Sequence, residues 1–363
     1  MNVHSPGTRL GQFEVISYPV FRDVTVEYTC LDHERSCPAV LKALRPELLS
    51  SQAARECFAQ CGVVWAGLGD HPHIVRCHGV FQPENSDGTY LVLQAVIPEK
   101  ERDTPSLLSW FIPGKPLPVS QALLFALQIA RGMHYVANKI PGFVHGDLKP
   151  ENILVSEDRL LPAKVNRLRV ADFGLAAVLR TDDVDLSKLY ETGKATVGQT
   201  QLINGISGTP LYMSPEQWRG ENAGTATDVY ALGCLLYKML VGRHVAGGET
   251  ARDLQNAHCT GHVRPLPATL PKGVCDLTTH CLALEPMNRY QSWEEVEKAI
   301  AAAYQSAIKQ PVPAIESSDA AAESERTLEG WFLNSMGCVS SEIGNMDAAM
   351  KCLELALKAG QAE

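Results

Sequence analysis

The chain has no C-x-x-C pair, no excess of basic residues and no uninterrupted apolar stretch of membrane-spanning length. Its 11 cysteines are odd in number and scattered. Neither a disulfide framework nor a zinc ribbon fits them, and they suit a reducing, cytoplasmic compartment. Lys and Arg number 32 against 41 Asp and Glu, a net charge of -9, so a surface built to neutralise nucleic-acid phosphates is not expected. The longest apolar candidate, residues 229–241, is short and carries Lys238, which makes it a buried helix rather than a membrane span. The opening residues lack a basic stretch followed by an apolar run, so no signal peptide is expected. What remains is 363 residues with 45% hydrophobic and 20% charged side chains, a composition that suits two or three globular domains with a sizeable core.

Residues 13–16, 24–30 and 39–44 are short β-rich runs separated by polar turns, which predicts consecutive antiparallel strands. Leu48, Ala53, Cys57, Cys61, Val64 and Leu68 recur at mostly three- and four-residue steps, a helical stripe over residues 47–68. Residues 74–81 and 90–96 read as two more strands around a turn-rich segment. From Ser120 the pattern changes to long helices, clearest at 120–138 and 228–241. Residues 172–216 form a long polar stretch with little periodicity, and loops of that length in a compact domain are usually functional. A Pro-, Ser-, Ala- and Glu-rich linker follows near residues 310–325, with one more helix pair behind it.

The chemistry concentrates in Phe143-Val144-His145-Gly146-Asp147-Leu148-Lys149-Pro150-Glu151-Asn152-Ile153-Leu154, followed by Val170-Ala171-Asp172-Phe173-Gly174. Three oxygen-bearing side chains and a lysine at one loop edge suit a hard divalent cation holding phosphates, with one carboxylate left to receive a hydroxyl proton. In this motif order the chain resembles a eukaryotic-type serine/threonine protein kinase domain over roughly residues 12–304. The resemblance implies a two-lobed α+β kinase fold: a small antiparallel β N-lobe with one helix (residues 10–97) and a larger helical C-lobe (98–305). It also implies ATP and Mg²⁺ in the cleft and a protein substrate with a serine or threonine acceptor. By resemblance, Lys42 holds the α- and β-phosphates, Leu93 is the gatekeeper, the backbone of Gln94 to Val96 is the hinge that bonds adenine, and Leu154 lies beneath it. Asp147 is the catalytic aspartate, Lys149 reaches the γ-phosphate, and Asn152 and Asp172 are the metal ligands.

Gly208-Thr209-Pro210-Leu211-Tyr212-Met213-Ser214-Pro215-Glu216 resembles the end of a kinase activation segment, and Lys149 with Thr209 is the combination of serine/threonine enzymes. Asp228 is expected to anchor the catalytic loop, and Arg289 to pair with Glu216. Ser187, Thr192, Thr196 and Thr200 are candidate phosphate acceptors within the chain's own loop. His145 reads as a packed, hydrogen-bonded histidine rather than a base, and His71, His73 and His78 as loop and strand residues rather than metal ligands.

The chain also departs from that pattern. The three loop glycines of G-x-G-x-x-G fall on Val20, Arg22 and Thr25, whose side chains hinder approach of backbone N–H groups to phosphates. Glu27 falls where an apolar residue covers adenine, and Asp23 adds a second negative charge. Cys61 falls where the helix glutamate that pairs with Lys42 belongs, so that ion pair is missing or comes from another acid such as Glu56. Gly146 replaces the arginine that meets a phosphorylated activation loop. Two functions therefore remain open: a weak or regulated kinase, and a pseudokinase that binds nucleotide or protein partners.

Leu333, Asn334, Ser335, Met336 and Gly337, then Gly344, Ala349, Leu353 and Ala356, resemble one tetratricopeptide repeat over residues 328–361 behind a linker at 306–327. The bland alternative is an ordinary amphipathic hairpin. Its apolar face is expected to be covered by a protein partner or a second copy of the chain, with the kinase C-lobe as the other possibility. No nucleic-acid or membrane partner is expected.

Overall fold

The computed structural model describes residues 3–84, 88–99, 102–157, 166–180, 201–203, 206–248, 250–313, 350 and 353–354. Apart from residues 350, 353 and 354, the proposed repeat lies outside the described residues, as do the linker beyond Pro313 and the candidate acceptors Ser187, Thr192, Thr196 and Thr200.

The β-rich runs fold as antiparallel strands: β1 (Arg9–Leu10), β2 (Phe13–Val15), β3 (Val20–Phe21), β4 (Thr25–Asp32), β5 (Cys37–Leu44), β6 (Cys77–Phe81) and β7 (Tyr90–Gln94). They form one sheet in the order β1-β2-β4-β5-β7-β6, with β3 paired onto β4. Side-chain alternation divides the sheet's faces. On β7, Tyr90 and Val92 join Phe13, Tyr28 and Leu41 in one cluster, whereas Leu91 and Leu93 join Phe58 and Trp65 of α1 (Gln52–Leu68) in the main core. The helix starts later than its stripe suggests because Pro46–Leu48 form a 3₁₀ turn, and the Ser51 hydroxyl caps it by accepting the Ala54 N–H at 2.8 Å.

Residues 74–76 do not extend β6. Instead the Val75 N–H donates to the Val170 carbonyl at 2.9 Å, tying the sheet lobe to the helical one. That second lobe contains α2 (Val119–Lys139), the hairpin β8 (Ile153–Ser156) with β9 (Arg167–Val170), the short pair β10 (Gln201–Ile203) with β11 (Ile206–Gly208), α3 (Pro215–Arg219), α4 (Thr225–Val241), α5 (Ala251–Thr260), α6 (Lys272–Cys281) and α7 (Trp293–Ile308). The two-lobed kinase architecture is thus present, with seven helices among the described residues. Every residue of α4 from Thr227 to Leu240 is buried, as expected of a helix that is apolar on all sides. Among the described residues no helix is long and apolar enough to cross a membrane.

Candidate active site

The loop 145–152 emerges between α2 and β8 and is gripped from below. Asp228, buried in the first turn of α4, accepts the N–H groups of His145 at 2.7 Å and Gly146 at 2.8 Å. Burial pushes its carboxyl up despite these bonds. Gln217 of α3 donates its amide to the Gly146 carbonyl at 2.8 Å. Gly146 itself lies at φ 73°, a left-handed backbone that glycine adopts without strain. The glycine in place of the family's arginine therefore suits the turn. His145 is buried, and its Nδ1 accepts the Asp147 N–H, so Nε2 donates to the Ala171 carbonyl at 2.8 Å. It is a structural histidine, as its sequence context suggests.

This grip presents Asp147 to the cleft. Its Oδ2 lies 2.9 Å from Lys149 Nζ, the Thr209 hydroxyl donates to Oδ1 at 3.0 Å, and Asn152 donates to its carbonyl at 2.9 Å. Asp172 follows β9 at φ 66°, an uncommon conformation for a non-glycine residue that clusters at functional sites. The next residue, Phe173, is locked between Trp65 and His145, with ring centroids 5.6 Å and 5.4 Å away.

The β3–β4 hairpin closes the cleft from above. Arg22 N–H donates to the Thr25 carbonyl at 2.8 Å, a tight turn with Asp23 near its tip. Asp23 Oδ2 sits 2.5 Å from Lys149 Nζ. Lys42, 2% exposed, lies 2.5 Å from Asp172 and 2.7 Å from Glu27. Burial alone would lower the lysine pKa values, but the facing carboxylates outweigh it and raise both Lys42 and Lys149. Lys42 and Lys149 are thus each held by an acid of the hairpin as well as by Asp172 and Asp147 respectively. Of the two options left by Cys61, a missing ion pair or one from another acid such as Glu56, Glu56 itself does not serve: it is exposed and Gln52 donates to it at 2.7 Å, whereas Lys42 meets Glu27 beside Asp172.

A cavity of about 400 Å³ is lined by Arg22, Asp23, Asp147, Lys149, Asn152 and Asp172 among others. It continues past Tyr212 to Lys238 and His244, which the sequence reading did not single out. Leu93, Gln94, Val96 and Leu154 do not line it. Leu93 and Val96 are buried and Leu154 half-buried. The Gln94 N–H donates to the Arg76 carbonyl at 2.9 Å. Arg289 pairs with Glu216 through two contacts of 2.7 Å and 2.9 Å in a buried setting, as expected.

Residues 24–303 match the family model described as protein kinase domain. The chain belongs to the protein kinase domain family. Similar relatives include serine/threonine-protein kinase pkn2 of Myxococcus xanthus, 32% identical over 269 residues that make up 73% of this chain and 29% of that protein. PkaB of Streptomyces coelicolor is 31% identical over 71% of this chain and 55% of its own length. PrkC of Bacillus subtilis is 29% identical over 65% of this chain and 32% of its own length. The matched part of this kinase-family chain thus spans roughly a third to a half of those relatives.

Proposed function

We propose that the chain is an ATP-dependent serine/threonine protein kinase that passes the γ-phosphate to a hydroxyl of a protein substrate. The observation that carries this reading is the convergence of Asp147, Lys149, Asn152 and Asp172 on one cavity, with Thr209 bonded to Asp147. Asp147 accepts the proton of the attacking hydroxyl while that oxygen bonds the γ-phosphorus and the bond to the ADP oxygen breaks. Lys149 neutralises the γ-phosphate and Lys42 the α- and β-phosphates. Leu93, Gln94 and Val96 border the adenine, and Leu154 lies beneath it. The pairing of Lys149 with Thr209 favours serine or threonine as the acceptor.

The donor set fits Mg²⁺. Asn152 and Asp172 offer one amide and one carboxylate, and among the described residues no group of three His, Cys, Asp or Glu side chains could hold a metal unaided. Such an incomplete set suits a cation that keeps water and completes its shell with substrate phosphates. When bound, the ion would neutralise phosphate charge.

One observation favours the second reading, a pseudokinase: Asp23 already occupies Lys149, and a triphosphate must displace it. Calorimetry with ATP and Mg²⁺, followed by phosphate transfer in wild type and Asp147→Asn, separates the two. Binding with transfer abolished in the variant supports the kinase, and no binding at millimolar ATP supports the pseudokinase. The proposed organisation is an N-lobe over 10–97, a C-lobe over 98–305, a linker over 306–327 and a tetratricopeptide-like helix pair over 328–361. That pair would serve a protein partner or self-association, in a cytoplasmic signalling role.

A further inference from the structure

Across the β4–β5 ladder, Glu27 stands directly opposite Lys42, and its Oε1 is 2.7 Å from Nζ. Its other oxygen accepts from Arg22 Nε at 3.1 Å. Arg22 and Glu27 belong to the two arms of one tight hairpin, so both carboxylate oxygens are fixed within a short stretch of chain. Burial pushes the Glu27 carboxyl up, but Lys42 and Arg22 outweigh it and hold it below the usual carboxylate range. On the helix side, Cys61 points its thiol at the Gly174 carbonyl, 3.2 Å away. A Cβ placed on Gly174 would come within 3.2 Å of that sulfur, so α1 is packed tightly against this turn.

We propose that Glu27 is the positioning residue for Lys42: strand β4 supplies the carboxylate that other kinases place on the N-lobe helix, and Lys42 is held for the nucleotide phosphates without movement of α1. This rests on the kinase reading. Lys42 has three N–H donors, and Glu27 and Asp172 take two of them. Asp23 acts differently. It sits near a hairpin tip on Lys149, where a small opening of the turn releases it, whereas Glu27 is fixed by strand register.

The test uses the full chain with two readouts: calorimetric affinity for ATP with Mg²⁺, and the position of Lys42 Nζ in crystal structures of wild type and variants. Glu27→Gln keeps the shape and removes the charge; it is expected to weaken nucleotide binding about tenfold and to let Lys42 Nζ move away from strand β4. Arg22→Gln, which frees one Glu27 oxygen, is expected to weaken binding about threefold and serves if Glu27→Gln does not fold. Cys61→Glu is expected to change neither readout. Tighter nucleotide binding in Glu27→Gln would mean that Glu27 blocks the site, and a Lys42 side chain unmoved in that variant would mean that Glu27 does not hold the lysine; either overturns the proposal. A gain of affinity from Cys61→Glu would also overturn it. If wild type binds no nucleotide, the kinase reading fails and the position of Lys42 alone decides the role of Glu27.

Discussion

At the scale of single residues, the two acids of the β3–β4 hairpin have separate consequences. If Lys149 meets the γ-phosphate as proposed, releasing it from Asp23 favours the nucleotide, so Asp23→Asn should tighten binding of ATP with Mg²⁺ on the order of tenfold, read by calorimetry. An unchanged affinity would show that the Asp23–Lys149 contact costs the nucleotide nothing. Gly146 lies at φ 73°, where a side chain costs about 1–2 kcal/mol. Gly146→Ala should lower the unfolding free energy by that amount, read as a lower denaturant midpoint with the linear slope unchanged. Asp147, Lys149, Asn152 and Asp172 were legible in the sequence because they occupy short contiguous motifs. The partner of Lys42 was not. Motif spacing identifies Glu27 as an acid in an unusual place, but its contact depends on a cross-strand register that spans a whole hairpin. Lys238 and His244 were not legible as cavity residues because the cavity is assembled from stretches far apart in the chain, among them residues 21–25, 147–152, 172–176 and 211–212.

At the scale of elements, the buried pair of Glu216 and Arg289 joins α3 to the turn before α7. Removing one partner strands a buried charge, so Glu216→Ala should cost roughly 3–5 kcal/mol, measured by chemical unfolding. Burial raises the Glu216 carboxyl, but the Arg289 bonds outweigh it and hold the pKa below 4.5. The pair therefore contributes its full stability above about pH 4.5, the unfolded value. The contribution is lost as pH falls through the lower folded value, and wild type should lose more stability than Glu216→Gln in acid. Element types followed from periodicity, as β7 and α4 illustrate. Their ends did not: the 3₁₀ turn at Pro46–Leu48 interrupts a continuous apolar stripe, and residues 74–76 leave the sheet to bond Val170. Tertiary contacts decide both.

At the scale of the whole molecule, the kinase lobes close on themselves at α7, whose Ile300, Ala303 and Tyr304 are buried in the main core. Ile308 and Val312 also pack against that core, so a chain shortened before Lys309 should melt lower than one that ends at Pro313. Light scattering of full and shortened chains tests whether residues beyond 313 bring two copies together. The central claim is that the assembled loop of Asp147 performs phosphate transfer despite the missing glycines. The most direct measurement is transfer of labelled γ-phosphate from ATP to a hydroxyl-bearing protein by wild type and by Asp147→Asn, each shown by calorimetry to bind nucleotide. Transfer by wild type and none by the variant is expected, at nearly equal nucleotide affinity. Equal labelling by both, or none by a wild type saturated with ATP and Mg²⁺, would contradict it.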